Sequence, residues 1–462
     1  MARRSYCPGC FEKQSKIDQL LEENERLRQK LRYEERKAQE GVFGSSTPSS
    51  KIPIKGNQTG ERKPKGAKPG HRGAGRKGFA ESEADQVVRV PPPQLNPLCP
   101  HCGGSLEDKG VEERLVIDSQ PLKARRLFYR LPKKYCPRCK KLFSSRAPGV
   151  LPRSLYGNQL ITTGVAMHYL HGIPMGRVCE QIGVGPGSLV EIFHRLSRLW
   201  EKVPAQLIER YRHSPVKHAD ETGWRTDGKN GYAWLFATPK LSIFLFRKSR
   251  SAEVPKSVFG PGPLPGVLVV DRYAGYNQTP CAIQYCYAHL LREVQELEKE
   301  FPDSGEVQAF VSTLAPLLSL AMGLRRQPLS ASRFRSEAIK VKARILSAVD
   351  RPASHLGIRH LQNIFHQNAQ RLYLWAEDRA IPAENNLAER DLRPTVIARK
   401  TSFGSQSDAG AHTRGVLMTV LYSLKKQGVD VAAHLKDVLD HLAKDIHQDP
   451  FPLLFPRDGP TS

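Results

Sequence analysis

Three acidic residues stand in patterns that suit metal-dependent chemistry on a phosphodiester. Asp271 follows the apolar run 266–270 and Asp220 follows a short β-like segment over 216–219, so we expect both at the ends of strands. Glu389 lies in the later segment Glu384-Asn385-Asn386-Leu387-Ala388-Glu389-Arg390, which we expect to be helical. Carboxylates gathered in this way can hold two Mg²⁺ ions, the pair that clamps the attacking and leaving oxygens of a phosphodiester. The three acids therefore form the predicted catalytic and metal-binding triad.

The composition favours a polyanionic partner. The chain has 462 residues, which suggests about two to four domains. It carries 71 Lys and Arg against 46 Asp and Glu, a net charge of +25. A basic surface without any partner would give the same total, but here the basic residues are concentrated rather than spread. Such an excess attracts nucleic acid.

The sequence predicts a cytoplasmic protein. It shows neither an apolar run of 18 residues nor an apolar signal core after Met1, so we expect no membrane helix and no secretory leader. The nine cysteines should then be reduced, and closely spaced pairs are interpreted as metal ligands before disulfides.

A short coiled coil is predicted near the amino terminus, in a leucine-zipper-like helix over 13–40. Its apolar seam steps by three and four residues through Ile17, Leu20, Asn24, Leu27 and Leu31. Asn24 falls on an a position, where a buried polar residue selects a two-stranded pairing. Such a seam supports self-association, and because only about two heptads are present, a lone solvated helix is the open alternative.

Residues 41–95 are predicted to be a basic disordered linker. Gly, Ser, Pro and Lys dominate this stretch, and it has too few large apolar residues to build a core. Arg72, Arg76 and Lys77 are predicted to bind DNA, because spaced cations of this kind enter minor grooves or follow phosphates. A plain flexible linker is the alternative.

Two Cys-x-x-Cys pairs predict a zinc-ribbon domain over 96–150. Cys99 and Cys102 are separated by 33 residues from Cys136 and Cys139, and the stretch between has β-like patterns. Four thiolates complete a tetrahedral Zn²⁺ site and leave no position for water, so this zinc is expected to be structural. A third pair, Cys7 and Cys10, stands alone and carries no assignment.

Helices are predicted over 153–210. A short helix, the turn Gly183-Val184-Gly185 and a further helix starting at Ser188 match helix-turn-helix spacing. In that arrangement Ser188, Glu191 and Arg195 lie on the exposed face, and Arg195 is predicted to contact DNA. An ordinary helical hairpin would show the same pattern.

The fold class predicted for the whole chain is multidomain α+β, with a ribonuclease-H-like α/β catalytic core over 214–405. Strands over 216–219 and 267–270 would end at Asp220 and Asp271. Three strands, a helix and further strands form the predicted order, in which the first and fourth strands place two aspartates side by side.

An all-helical insertion is predicted over about 303–380, because this stretch has no β pattern. It separates Asp271 from Glu389. Glu384 is the rival third acid, but it lies five residues from Glu389, about 140° around a helix, so both cannot face one metal pair. We prefer Glu389 and predict that Arg390 and Arg393 bind DNA phosphates.

Residues 406–450 are predicted to be a C-terminal helical segment. Apolar residues recur at helical spacing in two stretches that flank Gly428, and Asp430 is placed to cap the second helix. Core packing is the preferred interpretation of both apolar faces.

With these motifs assembled, the chain resembles the bacterial insertion sequence 66 family of transposases, which are DDE-type enzymes. The resemblance extends over nearly the whole chain. The motifs that carry it are Asp220-Glu221-Thr222-Gly223-Trp224, Asp271-Arg272-Tyr273-Ala274-Gly275-Tyr276, Asn385-Asn386-Leu387-Ala388-Glu389-Arg390-Asp391-Leu392-Arg393-Pro394 and Arg399-Lys400-Thr401-Ser402-Phe403-Gly404-Ser405. Glu384 departs from the family pattern, which more often has a non-acidic residue there. Cys286 and His289 resemble a Cys-x-x-His signature of related transposases, for which a structural role is expected.

The resemblance implies a mechanism and partners. Asp220, Asp271 and Glu389 would bind two Mg²⁺ ions per active site, a strand would be hydrolysed at the transposon end, and the freed 3′-OH would attack target DNA. The implied partners are double-stranded DNA, both transposon ends and target, a homo-oligomer and accessory transposition proteins, with no membrane. Two alternatives stay open: a catalytically silent DNA-binding regulator, and a ribonuclease-H-like nuclease without strand transfer.

Overall fold

The computed structural model describes residues 13, 16–17, 19–28, 31, 80–84, 86–91, 98–120 and 123–456. The chain divides into two compact units. The helical unit contains the amino-terminal helix and Ile283–Glu384, and the mixed unit contains Lys68–Ala282 and Asn385–Ser462. The predicted α+β class is confirmed, because the described residues form helices and two mixed sheets.

The first sheet is built around one long hairpin. Strands β2 (Glu107–Gln120) and β3 (Lys123–Cys136) pair antiparallel, and β3 also pairs in parallel with β1 (Gln86–Arg89) and antiparallel with β4 (Lys141–Ser144). Its core contains Val116, Leu127, Tyr129, Leu131, Ala147 and Val150.

The predicted disordered linker over 41–95 is therefore too long at its carboxyl end. Residues Gln86–Arg89 form β1, and a 3₁₀ turn covers Glu81–Glu83. Arg130 on β3 contributes to this order by pairing with Glu81 at 2.5 Å. The strand forms because a partner strand distant in sequence supplies its hydrogen bonds, which the local composition does not reveal.

Four helices follow, namely α2 (Asn158–Val165), α3 (Met175–Ile182), α4 (Pro186–Leu199) and α5 (Val203–Arg212), with a π-helical turn over Ala166–Leu170. Gly183 ends α3 with a φ of 65°, which suits glycine. The expected start of α4 at Ser188 is wrong, because Gly185 is the N-cap and Pro186 takes the first turn.

The second sheet contains five strands, β5 (Val216–Thr226), β6 (Lys229–Ala237), β7 (Ser242–Arg247), β8 (Val267–Val270) and β9 (Ala282–Tyr285), in the order β7-β6-β5-β8-β9. Helix α6 (Glu253–Phe259) joins β7 to β8. Along β9 the chain leaves the mixed unit. Strands β5 and β8 pair in parallel over three residue pairs.

Strand β5 is longer than predicted. It continues past Asp220 to Thr226, because β6 pairs with it from His218 onward. Asp220 therefore lies inside a strand, just beyond the part of β5 that pairs with β8, rather than at the strand's end.

The mixed unit ends in helices α11 (Asn386–Ser402), α12 (Asp408–Lys426), α13 (Val431–Lys444) and α14 (Phe451–Leu454). Helix α11 runs through Pro394, since its buried face of Ala388, Leu392, Thr395 and Ala398 continues on both sides of the proline. The predicted cap at Asp430 is confirmed, as its carboxylate accepts the Ala433 N–H at 3.1 Å.

Helix α12 covers the edge strand β7. Ser423 accepts the Ser242 N–H at 3.1 Å and donates to the Ser242 carbonyl at 3.1 Å, while Thr419 accepts the Phe244 N–H at 2.9 Å. These hydroxyls occupy the hydrogen-bonding groups that an edge strand otherwise offers to another chain.

The helical unit contains α7 (Tyr287–Glu300), α8 (Gly305–Leu324), α9 (Ala331–Val349) and α10 (Leu356–Gln367). Among the described residues, α8 is the one helix whose length and composition would let it cross a membrane, contrary to our expectation of none. Core helices share this length and composition, and Leu314, Leu318 and other α8 residues are buried. Cys286, the residue before α7, is buried.

The amino-terminal helix α1 covers residues 19–28, and the described neighbours 13, 16, 17 and 31 are also helical. Ile17, Leu20, Leu27 and Leu31 have exposed fractions between 48% and 59%. The predicted apolar seam is thus present and open to solvent in one copy of the chain.

Candidate active site

The strand register brings the two predicted aspartates to matching positions. Val216 pairs with Val267 and His218 with Val269, a constant offset of 51 residues. The same offset places Asp220 opposite Asp271, the residue directly after β8. Because parallel strands run in the same direction, both aspartates lie at the same end of the paired segment of β5 and β8.

The third predicted acid joins them. Burial raises the pKa of Asp220 well above its ordinary value, and the charges of Glu221, Asp271 and Glu389 raise it further. The Glu221 N–H donates to the Asp220 carboxylate at 2.9 Å and opposes the shift. Asp271 and Glu389 are therefore both close enough to Asp220 for their charges to act on its carboxyl group.

Asn385 fixes the start of α11 to β5. Its side-chain oxygen accepts a hydrogen bond from Nδ1 of His218 at 2.8 Å, and its amide donates to the Ala219 carbonyl at 2.8 Å. Its own carbonyl accepts the Glu389 N–H at 3.2 Å in the first helical turn. One buried side chain thus sets the position of Glu389 relative to Asp220.

Glu384 is engaged elsewhere. It is a buried residue of the helical unit, and Arg326 of the same unit donates to its carboxylate at 2.9 Å. Burial raises its pKa, and Arg326 and Arg325 oppose that rise. These contacts favour Glu389 as the third acid.

Glu221 is a fourth carboxylate that sequence reasoning missed. Its side chain is 1% exposed, and Arg250 donates to it through two nitrogens at 2.9 and 2.7 Å. The Tyr276 hydroxyl donates to its other oxygen. Burial and the charge of Asp271 raise its pKa to about 7, against the effect of Arg250. Adjacent strand residues point to opposite faces, so its position beside Asp220 gave no reason to assign it a role.

Arg250 also holds the loop after β8. Its guanidinium stacks over the Tyr273 ring at 3.8 Å, and the Tyr273 hydroxyl donates to the Arg250 carbonyl. The Tyr273 N–H in turn donates to Asp271 at 3.0 Å. A Cβ on Gly275 would lie 2.3 Å from the Tyr273 ring, which explains the glycine. This network fastens the Asp271 loop to the strand that carries Asp220.

The end of α11 contacts the same strand. Arg399 donates to the Thr222 hydroxyl at 3.1 Å and to the Gly223 carbonyl at 2.7 Å. Trp224 donates to the Ser405 hydroxyl at 3.2 Å. A Cβ on Gly404 would lie 2.2 Å from the Arg225 carbonyl oxygen, so only glycine permits this approach. Two motifs far apart in sequence therefore pack together.

The acidic cluster has the donor set of a hard divalent cation. Asp220, Asp271 and Glu389 offer carboxylate oxygens, the ligands that Mg²⁺ prefers. Burial and the neighbouring acids raise the pKa of Asp220, and bound cations would favour its charged form. Glu221 already has a positively charged partner in Arg250.

The four cysteines meet as a second candidate metal site. The Sγ atoms of Cys99 and Cys139 are 3.4 Å apart, as are those of Cys102 and Cys136, and all four lie within 4.8 Å of one another. Tetrahedral zinc with Zn–S bonds of about 2.3 Å requires sulfurs separated by about 3.8 Å. The spacing fits a structural zinc site.

The predicted DNA contacts have different outcomes. Arg195 donates to the carbonyls of Arg153 and Pro152 at 3.1 and 3.2 Å and so anchors the segment before α2, and its DNA contact stays a prediction. Ser188 is half-buried, and Glu191 is exposed and paired with Arg198. Arg390 and Arg393 are exposed on α11. The predicted contacts Arg72, Arg76 and Lys77 lie outside the described residues, as do the unassigned Cys7 and Cys10.

Three relatives come from Sinorhizobium fredii (strain NBRC 101917 / NGR234). The uncharacterized protein y4qI is 25% identical over 422 residues, 82% of this chain and 76% of its own. The uncharacterized protein y4hP is 21% identical over 428 residues, 78% and 72% of the two chains. The uncharacterized protein y4jD is 26% identical over 225 residues, 45% and 43% of the two chains.

The model of the family described as Transposase IS66 family matches residues 153–413, more than half of the chain. This range contains Asp220, Asp271 and Glu389 together with the segments that position them. The chain belongs to the IS66 family of transposases.

Proposed function

We propose that this transposase is a DDE enzyme that binds insertion-sequence terminal repeats, cleaves the DNA ends by metal-dependent hydrolysis and joins the 3′-OH ends to target DNA. The observation that supports the proposal is geometric: the β5–β8 register places Asp220 opposite Asp271, and Asn385 at the start of the Glu389 helix is bonded to Ala219 beside Asp220. A purely DNA-binding regulator has no physical use for three carboxylates gathered in this way.

The sheet order supports a ribonuclease-H-like core. Its third, second, first, fourth and fifth strands in chain order lie side by side. The first and fourth strands, β5 and β8, are neighbours and carry the two aspartates. This strand order supports the proposed catalytic domain of 214–405, which is interrupted by the insertion at about 303–380.

Each residue has a proposed part in the reaction. Two Mg²⁺ ions held by Asp220, Asp271 and Glu389 would supply charge neutralisation and a polarised nucleophile for phosphodiester cleavage. Asn385 fixes the approach of Glu389, and Arg250 with Tyr273 fixes Asp271. Arg390 and Arg393 bind phosphates of the DNA beside the cluster.

The remaining modules would assemble the DNA ends. The Cys99–Cys139 zinc domain, the helices over 153–210 and the basic segment around Arg72 would hold the terminal repeats. The open seam of α1 would pair with a second copy, so that two ends meet. Leu20→Lys with Leu27→Lys should then lower the molar mass measured by light scattering. A Lys16→Gln variant is the control, and an unchanged mass in the double lysine variant would rule out pairing through α1.

Cleavage and strand transfer on a labelled transposon-end duplex with Mg²⁺ test the proposal. We expect Asp271→Ala and Glu389→Gln to bind the duplex but not cut it, whereas Glu384→Gln should cut like wild type. If Glu389→Gln still cuts the duplex, another group must be the third acid.

The same reaction separates the alternatives. Hydrolysis without joined products on a matched pair of ends would favour a nuclease. Binding without any cut by wild type, even with the accessory proteins supplied, would favour a silent regulator.

A further inference from the structure

One face of α11 is exposed and basic. Arg390, Arg393, Ile397 and Lys400 are all exposed, and their spacing of three, four and three residues keeps them within an arc of about 80° on the helix. We call these four residues the α11 stripe. The opposite face is buried, so the helix is anchored on one side and presents the other to solvent.

The stripe begins at the acidic cluster. Glu389 precedes Arg390 and lies about 20° from the edge of the arc, so the stripe continues the face that carries the third acid. From Arg390 to Lys400 the helix rises about 15 Å, the axial length of roughly four nucleotides of one strand. A strand that enters the cluster would therefore pass along this face.

The nearby carboxylate of the same helix is shared with a lysine of α12 and offsets only part of the stripe's charge. Asp391 is held by Lys426 and accepts the Ser242 hydroxyl at 2.9 Å. Arg390 lies 3.9 Å from Asp391, but its side chain is 68% exposed. Three cations along one face, with Ile397 between them, match a polyanion with apolar surface of its own.

Phe403 follows the carboxyl end of the stripe and has an unusual backbone conformation. Its φ is 59°, a left-handed conformation that glycine or asparagine adopts at lower cost. The chain on either side is held, because the Phe403 N–H donates to the Arg399 carbonyl and the Ser405 N–H to the Arg225 carbonyl. The ring is nevertheless 56% exposed, so core burial does not account for an aromatic residue here.

We infer that the α11 stripe and Phe403 form a binding surface for a DNA strand that leaves the acidic cluster. The three cations contact phosphates, and the Phe403 ring stacks on a base that has lost its partner. In an intact duplex both faces of each base are covered by neighbours, whereas an unpaired base offers a free face to an aromatic side chain. The inference rests on the proposed function and adds unpaired DNA as the partner of this surface.

Binding can be measured apart from cleavage. All variants are placed in an Asp271→Ala background, and the probes are a fluorescein-labelled single strand of mixed sequence and its duplex. Phe403→Gly should bind the single strand about tenfold more weakly, the usual effect of losing one stacked base, and should bind the duplex as before. Phe403→Trp should retain single-strand binding.

Glycine at this position separates stacking from folding. Because glycine tolerates the positive φ, Phe403→Gly should unfold at the same or a higher temperature than its parent. Ile339→Ala removes a comparably exposed apolar residue from α9 and should change neither affinity. Unchanged single-strand affinity in Phe403→Gly, or an equal loss for the duplex, would overturn the stacking assignment.

The salt dependence tests the cations. Arg393→Gln and Lys400→Gln should each reduce the slope of log affinity against log salt for the single strand by about 0.7, while Lys340→Gln on α9 should not. An unchanged slope in both variants contradicts the inference even if wild type cuts DNA. If the slope falls in both variants but the wild-type protein never cuts DNA, the binding surface is supported and only the proposed reaction is refuted.

Discussion

Arg414 donates a hydrogen bond to Nε2 of His168 at 3.2 Å, while Nδ1 of His168 donates to the Ile173 carbonyl at 2.9 Å. Both residues are buried, and Arg414 also lies against the rings of Tyr169 and Trp224. The imidazole must be neutral to accept from Arg414. Burial and the Arg414 charge accordingly lower the pKa of His168 to about 4.

This pair predicts acid sensitivity of the mixed unit. The folded pKa lies below the ordinary value of 6.5, so the unfolded chain binds the proton more tightly between these limits. Stability is full above pH 6.5 and falls as the pH drops toward 4, with a loss of about 2 kcal/mol at pH 5. The loss is measured as the difference between the free energies of unfolding in urea at pH 7.5 and at pH 5.

His168→Gln should flatten that pH dependence, since glutamine can donate and accept without titrating. His441→Gln, at an exposed site on α13, is the matched control and should leave it intact. An equally steep acid loss in His168→Gln would place the responsible group elsewhere.

The Glu221–Arg250 pair predicts a non-additive effect on stability. Arg250→Met leaves a buried carboxylate with only the Tyr276 hydroxyl, and breaking such a pair costs about 3–5 kcal/mol. Glu221→Gln added to Arg250→Met should recover part of this loss, because the buried group is then neutral. Chemical unfolding of both variants and the Glu221→Gln single variant completes the cycle.

An Arg250→Met/Glu221→Gln double variant less stable than Arg250→Met alone would show that the network acts through packing rather than charge. Lys256→Met provides a comparison, because Lys256 forms an exposed pair with Glu253 on α6. Its effect should be below about 1 kcal/mol.

The cysteine cluster predicts one zinc ion per chain. Elemental analysis of purified protein should give a ratio near one, and Cys136→Ser should bring it near zero. The loss should unfold the first sheet, because Cys136 ends β3 and Cys139 precedes β4. Cys281→Ser, at a partly buried cysteine outside the cluster, should keep the metal.

The hydroxyl contacts of α12 predict a measurable cost for exposing β7. Thr419→Val leaves the buried Phe244 N–H without its acceptor and should destabilise the protein by about 1–3 kcal/mol. Thr313→Val replaces a half-buried threonine on α8 whose hydroxyl donates to the Ala309 carbonyl of its own helix, and should have little effect. Equal stabilities of the two variants would mean that the edge of β7 gains its order from other contacts.

Local patterns in the sequence determined several elements of this protein. The Cys-x-x-Cys spacings, the apolar run before Asp271 and the Asp430 cap each depend on residues within a few positions of one another. The structure brings the four cysteines together, ends β8 before Asp271 and caps α13 at Asp430. Short-range hydrogen-bonding and metal-ligand rules suffice for such features.

The tertiary structure decided what depends on distant partners. β5 continues past Asp220 because β6 pairs with it, and β1 forms because β3 lies beside it. Arg250 and Tyr276 hold Glu221 by hydrogen bonds, and Arg326 holds Glu384 in the same way. Each of these outcomes joins residues separated by long stretches of chain, so no periodicity or spacing in the sequence could contain them.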